Sequence, residues 1–152
     1  DGYQVSWPPA KHSPMGSGPG YLRSVAGTDP AAGAEISETV PTNVRWRLLG
    51  AVATFTTNAT VADRNIQWAI NDGANELFRT DDNYNHVASA VVRHELSLNP
   101  YRGAMPGSAN SPLGAEGLLM LGGWKLVTIV YNLKAGDDWT APQLWVEEWL
   151  EE

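Results

Sequence analysis

Three histidines, His12, His86 and His94, are the side chains in this 152-residue chain best suited to metal ligation or proton transfer. His94-Glu95 begins like the H-E-x-x-H motif of a zinc protease, but no histidine follows three positions later, so the three are read as forming no metal site. There is no cysteine. That excludes a disulfide scaffold, a thiolate metal centre and a cysteine nucleophile, and it leaves the redox compartment open. Serine chemistry lacks its setting: no G-x-S-x-G occurs, and Gly16-Ser17-Gly18 reads as linker. No phosphate-binding fingerprint is present either, because the glycine-rich stretches have neither the spacing nor a following helix. Carboxylates come in adjacent pairs, Asp81-Asp82, Asp137-Asp138, Glu147-Glu148 and Glu151-Glu152. Neighbours on a strand point to opposite faces, so no pair forms a glycosidase-type couple by itself. Asp81, Asp82 and Asn83 resemble a calcium-friendly loop without the EF-hand pattern, and a solvated polar loop is the reading preferred. Asn58-Ala59-Thr60 fits a glycosylation sequon, which matters only in a eukaryotic secretory pathway. The chain is therefore expected not to be an enzyme and to carry no cofactor.

Aromatic residues are the stronger signal. Seven tryptophans are present. Trp46, Trp68 and Trp124 fall on apolar-alternating segments and are expected in the core. Trp139, Trp145 and Trp149 cluster near the C-terminus among acidic residues. They read either as a sugar-stacking platform or as a subunit contact, with the contact favoured because tryptophan is enriched at interfaces. At the other end, residues 1–20 hold four prolines and four glycines, so this stretch reads as an extended arm. It nonetheless carries Tyr3, Val5 and Trp7 at alternating positions. That pattern fits an arm docking on a neighbour by adding a strand to its sheet, against the alternative of an unanchored terminus. Asp1 is no translation start, so either a leader was removed or the numbering begins after the true N-terminus.

The elements that must position these residues read as strands. Tyr21–Ala26 is a first strand, and residues 34–40 are an edge strand. Residues 44–57 give the clearest alternation: Val44, Trp46 and Leu48 on one face, then Ala51, Ala53 and Phe55, with Gly50 marking a bulge where the faces switch. Ile66, Trp68 and Ile70 form the next inward face, and Asn71-Asp72-Gly73-Ala74 is a hairpin turn leading to Leu77 and Phe78. Residues 80–86 read as a polar loop. Residues 87–98, with Val91, Val92, Leu96 and Leu98, read as a strand. Residues 99–117 read as loop, with three prolines and four glycines. A short strand, a turn and a second strand follow over 118–133. The last strand, 144–150, sets Leu144, Val146 and Glu148 against Trp145, Glu147 and Trp149.

About eight strands and no persuasive helix predict an antiparallel all-β sandwich, jelly-roll-like, as a single domain over 21–152 behind the 1–20 arm. Composition agrees with a folded domain: 43% hydrophobic and 18% charged residues argue against intrinsic disorder. A net charge of −7 opposes nucleic-acid binding. No apolar run approaches the length of a membrane helix. Arg45, Arg47 and Arg64 read as solvent-face charges, or as groups that dock on carboxylates of a partner.

The stretch from Glu38 through Val40-Pro41 to Trp46 and Leu48, followed by Thr54, Thr57, Ala59-Thr60-Val61-Ala62 and Arg64, then Ile70-Asn71-Asp72-Gly73, resembles small virion proteins of tailed bacteriophages. Gly136-Asp137-Asp138-Trp139 and Leu144-Trp145-Val146-Glu147-Glu148-Trp149 resemble their closing strand. The resemblance covers 38–79 and 136–150, about a third of the chain, and rests on structural residues. It implies a capsid decoration or cement protein on the outer surface of the head, bound to the major capsid protein and self-associating as a trimer or dimer. Tyr3, Val5, Trp7, Trp139, Trp145 and Trp149 are the partner-binding candidates. Nucleic acid and membrane are not expected partners. The alternatives are a carbohydrate- or receptor-binding module, or a neck, tail or fibre-base component of the same fold.

Overall fold

The computed structural model describes residues 20–98, 103–105 and 107–151. Residues 1–19, and with them Tyr3, Val5 and Trp7, lie outside the described residues. Those described form twelve strands in two sheets. They are β1 (Tyr21–Ala26), β2 (Ser37–Thr39), β3 (Val44–Thr56), β4 (Arg64–Asn71), β5 (Glu76–His86), β6 (Val91–Ser97), β7 (Gly103–Met105), β8 (Ser108–Pro112), β9 (Leu118–Met120), β10 (Lys125–Tyr131), β11 (Asp138–Trp139) and β12 (Gln143–Leu150). The all-β class is as expected. No described helix is long and apolar enough to cross a membrane.

The larger sheet runs β1-β12-β3-β6-β8-β7, with β9 and β11 also paired to β3; the smaller runs β2-β10-β4-β5. Strand β3 is the spine of the larger sheet. One of its edges takes β12 and then β11, and the other takes β9 and then β6. Its bulge lies where the alternation breaks. Trp145 pairs with Gly50 and Val146 with Leu48, leaving Leu49 as the extra residue. Before it Trp46 and Leu48 are buried, and after it Ala51, Ala53 and Phe55. One inserted residue thus keeps a thirteen-residue strand apolar-inward along its whole length.

The two inner faces meet in a core of Trp46, Leu48, Phe55, Ile66, Trp68, Ile70, Leu126, Trp139, Leu144 and Val146, among others. The hairpin between β4 and β5 turns where Asp-Gly predicts it, with Gly73 at φ 98°. Strand β12 faces as its alternation requires, with Leu144, Val146 and Glu148 buried.

Two segments depart from the sequence reading. Residues 80–86 are not a loop: they are the second half of β5, and Thr80, Asp82 and His86 are buried there. The alternation continues only to Asp82, and its inward residues are polar, so an apolar period does not reveal it. Residues 99–117 are not all loop either, because β7 and β8 lie within them and β8 pairs parallel to β6. Ser-Ala-Asn-Ser-Pro has the composition of a turn and becomes a strand through its neighbours.

Candidate functional site

Polar chemistry inside the sandwich gathers at the β5–β6–β8 side. In a regular strand, residues four apart stand about 13 Å from each other. Asp82 and His86 are four apart, yet Asp82 Oδ2 lies 2.6 Å from His86 Nε2. The cause is a bulge in β5. Asn65 pairs with Asn85 and Gln67 with Asp81, so three residues of β5 oppose Ile66 alone, and Asn83 at its middle takes φ 53°. Asparagine is among the few non-glycine residues that adopt this left-handed conformation readily. Across the sandwich, β6 alternates Val92, His94 and Leu96 inward. His94 Nε2 thereby reaches the same Asp82 Oδ2 at 2.8 Å. All three side chains are fully buried.

Hydrogen positions follow from the partners. The indole Nε1–H of Trp68 donates to His94 Nδ1 at 2.9 Å, and an indole can only donate. His94 Nδ1 is therefore an acceptor, and the proton sits on Nε2, which donates to Asp82. His86 Nε2 likewise donates to the carboxylate, and the Tyr84 backbone N–H donates to Asp82 Oδ1 at 3.1 Å. Burial pushes the Asp82 carboxyl up, but the imidazole hydrogen bonds outweigh it and lower its pKa to about 2. His94 is shifted down, chiefly because burial penalises its charged form, with the Asp82 carboxylate opposing in part. The cluster is thus a buried carboxylate between two imidazole N–H groups.

Two histidines and an aspartate with ligand atoms within 4.8 Å of one another also have the composition of a metal centre. The geometry does not fit one. A metal-bound histidine donates its other ring N–H to an acceptor, whereas the other nitrogen of His94 faces the Trp68 donor. His86 Nδ1 has no hydrogen-bond partner among the described residues. The separations of 2.6 and 2.8 Å are those of hydrogen bonds, with no room for an ion between the atoms. The calcium-type reading of Asp81, Asp82 and Asn83 fails for a related reason: they lie on β5, and Asp82 is turned into the core.

No family model, curated protein or solved structure matches the chain.

The tryptophans divide. Trp139 is 1% exposed and stacks between Phe55 at 4.6 Å and Trp68 at 6.1 Å. It belongs to the core and offers no surface to a partner, contrary to the grouping by sequence proximity. The two-residue strand β11 turns it inward against Phe55. Trp145 and Trp149 do face out. Trp145 is 52% exposed. Trp149 lies beneath two guanidinium groups, Arg45 at 5.0 Å and Arg47 at 5.5 Å from its ring centre. Leu22, opposite Glu147 on β1, extends the same outer face and is 66% exposed. A depression of about 140 Å³ lined by Arg47, Glu116, Gly117 and Leu119 opens beside it, smaller than the roughly 300 Å³ at the low end of small-molecule sites.

Of the three arginines read as solvent-face charges only Arg47 is partly exposed; Arg45 is buried and pairs with Glu151 at 3.9 Å. Arg64 is not a solvent-face charge: it is fully buried on Asp137 through two hydrogen bonds, Nε to Oδ2 at 3.0 Å and Nη2 to Oδ1 at 2.9 Å. Its remaining donors go to Asn58 Oδ1 and to the carbonyls of Thr60 and Ala62. Asn58, the sequon asparagine, is thereby part of a structural knot. Glu148 is similarly committed, accepting from Trp46 Nε1 at 2.7 Å and from Arg23 at 2.5 Å.

Proposed function

We propose that the chain is a structural virion protein of a tailed phage, a decoration or cement protein that binds the major capsid protein lattice on the outer surface of the head. In this reading the sandwich is jelly-roll-like, the 1–20 arm ties neighbouring subunits together through Tyr3, Val5 and Trp7, and copies self-associate as a dimer or trimer. The observation that carries it is the outer face of β1, β12 and β3, where Trp145 and Leu22 are more than half exposed beside the Arg45–Trp149–Arg47 stack. A sheet face with exposed aromatic and aliphatic groups supports docking of a partner. The Asp82 cluster is fully buried inside the sandwich, whereas the outer face of β12 is open to a partner. Many weak contacts of this kind add through the repeating lattice.

The test is co-sedimentation of the purified chain with DNA-free heads of a phage that encodes it, alongside a Trp145→Ser variant. The expected result is a fixed saturating ratio of copies to capsid subunits, with affinity reduced at least tenfold in the variant. A dozen copies or fewer per head would replace this reading with a neck, tail or fibre-base role. Absence of binding to heads, with glycan binding lost in Trp145→Ser, would replace it with the carbohydrate-binding alternative.

A further inference from the structure

We infer that Asp82, His86 and His94 form an acid-sensitive clasp between the two sheets, closed while the His94 imidazole is neutral and released when it takes up a proton. Asp82 and His86 stand on β5 and Trp68 on β4, in the smaller sheet, and His94 stands on β6 in the larger. The chain of donors from Trp68 through His94 to Asp82 therefore crosses the sandwich.

A second proton on His94 has one place to go, Nδ1, and that atom already accepts from the Trp68 N–H at 2.9 Å. Protonation sets two donors against each other, so the rings must part. Trp68 packs against Trp139, and Trp139 against Phe55 of β3, so displacing Trp68 disturbs the aromatic stack that joins the sheets.

Of the charges around the clasp, Glu95 acts on His94, favouring its charged form in small part. On β4, Arg64 pairs with His86 in register, but its guanidinium is committed to Asp137 beside β11. On β5, Tyr84 stacks edge-on against His86 at 4.9 Å, and Asp81 adjoins Asp82. On β6, Arg93 and Glu95 flank His94 and pair with each other at 2.5 Å. From β3, β8 and β11 come Phe55, Ala109 and Trp139, none of them charged. Among the described residues no lysine or arginine bonds to Asp82.

The sign follows from linkage. Burial holds His94 below its ordinary value of 6.5, so the unfolded chain binds the proton first as pH falls. The clasp's contribution is complete above pH 6.5 and is lost as pH falls from there toward the lower value of the folded state.

The experiment is urea unfolding of the full chain between pH 7.5 and 4.5, with nitrogen-15 NMR of the imidazoles at pH 7.5. NMR is expected to show His94 neutral with the proton on Nε2, as its acceptor contact with the Trp68 N–H requires. The unfolding constant is expected to rise below pH 6.5 by about tenfold per pH unit for the one proton concerned. His94→Gln should remove that dependence. Should His94→Gln fail to fold, Trp68→Phe serves instead: without the opposing indole N–H the rise should flatten, although the protein is less stable at pH 7.5. Parallel pH profiles for the native chain and a folded variant would overturn the proposal. So would a Zn²⁺ titration at pH 7.5 that shifts both imidazole spectra at one equivalent, because it would make the cluster a metal centre.

Discussion

Replacing Asp137 by asparagine keeps the shape of the side chain and removes its charge. Arg64 would then be left fully buried with no counter-charge, and an amide N–H₂ would face a guanidinium that only donates. Asp137 also accepts from the backbone N–H groups of Asn58 and Lys134, so the knot ties the turn after β3 to the turn before β11. Removing one partner of a buried pair costs about 3–5 kcal/mol. For a chain of this length, about 2–4 °C per kcal/mol turns that into a melting temperature lower by about 6–20 °C. Thermal unfolding followed by circular dichroism reads the shift, and urea unfolding reads the free energy. The acid limb offers a second check. Burial pushes the Asp137 carboxyl up, but hydrogen bonds from Arg64, Asn58 and Lys134 together hold it below its ordinary 3.8. Its contribution is present above pH 3.8 and lost as pH falls below, so Asp137→Asn should have a flatter profile there. A loss under about 1 kcal/mol, the range of an exposed pair, would refute the reasoning. A double variant, Arg64→Met with Asp137→Leu, should be more stable than Asp137→Asn, since no charge is stranded; strict additivity of its two single changes would argue against the pair.

Gly117 stands at φ 72°, and a Cβ there would meet Leu48 O at 2.4 Å. Gly117→Ala is therefore expected to cost about 2–4 kcal/mol in urea unfolding, combining left-handed strain with overpacking of a backbone contact. Asn83→Val places a β-branched residue at φ 53°; it should lower stability by about 1–3 kcal/mol and alter the imidazole NMR signals of His86 and His94, whereas Asn83→Gly should preserve both.

Much of the fold was legible because its strands bury apolar residues at period two. Trp46-x-Leu48, Ile66-x-Trp68-x-Ile70 and Leu144-x-Val146 announce their inner faces, and the break at Leu49-Gly50 announces the bulge. The cluster was hidden for the complementary reason. Thr80 and Asp82 alternate inward as polar residues, so the apolar pattern of β5 ends before its most buried part. One signal was present: Val92-x-His94-x-Leu96 places His94 on an apolar inner face, where a histidine needs a partner. Nothing local marks that partner as Asp82, because the contact depends on the bulge at Asn83 and on β6 crossing to the other sheet. Trp139 was misplaced by sequence proximity to Trp145 and Trp149: it sits on β11 and faces inward, while the other two share the outer face of β12.

Strand β1 lies against β12, with Tyr21 opposite Glu148, and β12 supplies the neighbour of β3 from Val44 to Val52. The spine of the larger sheet therefore waits for a partner synthesised about a hundred residues later. A nascent chain carries β3 with one edge bare until β12 leaves the ribosome, which makes folding late, dominated by distant pairings and slow for its size. A ribosome-stalled chain ending before residue 143 should bind chaperones and be cut readily by proteases, and release of the last strand should abolish both behaviours in a single step.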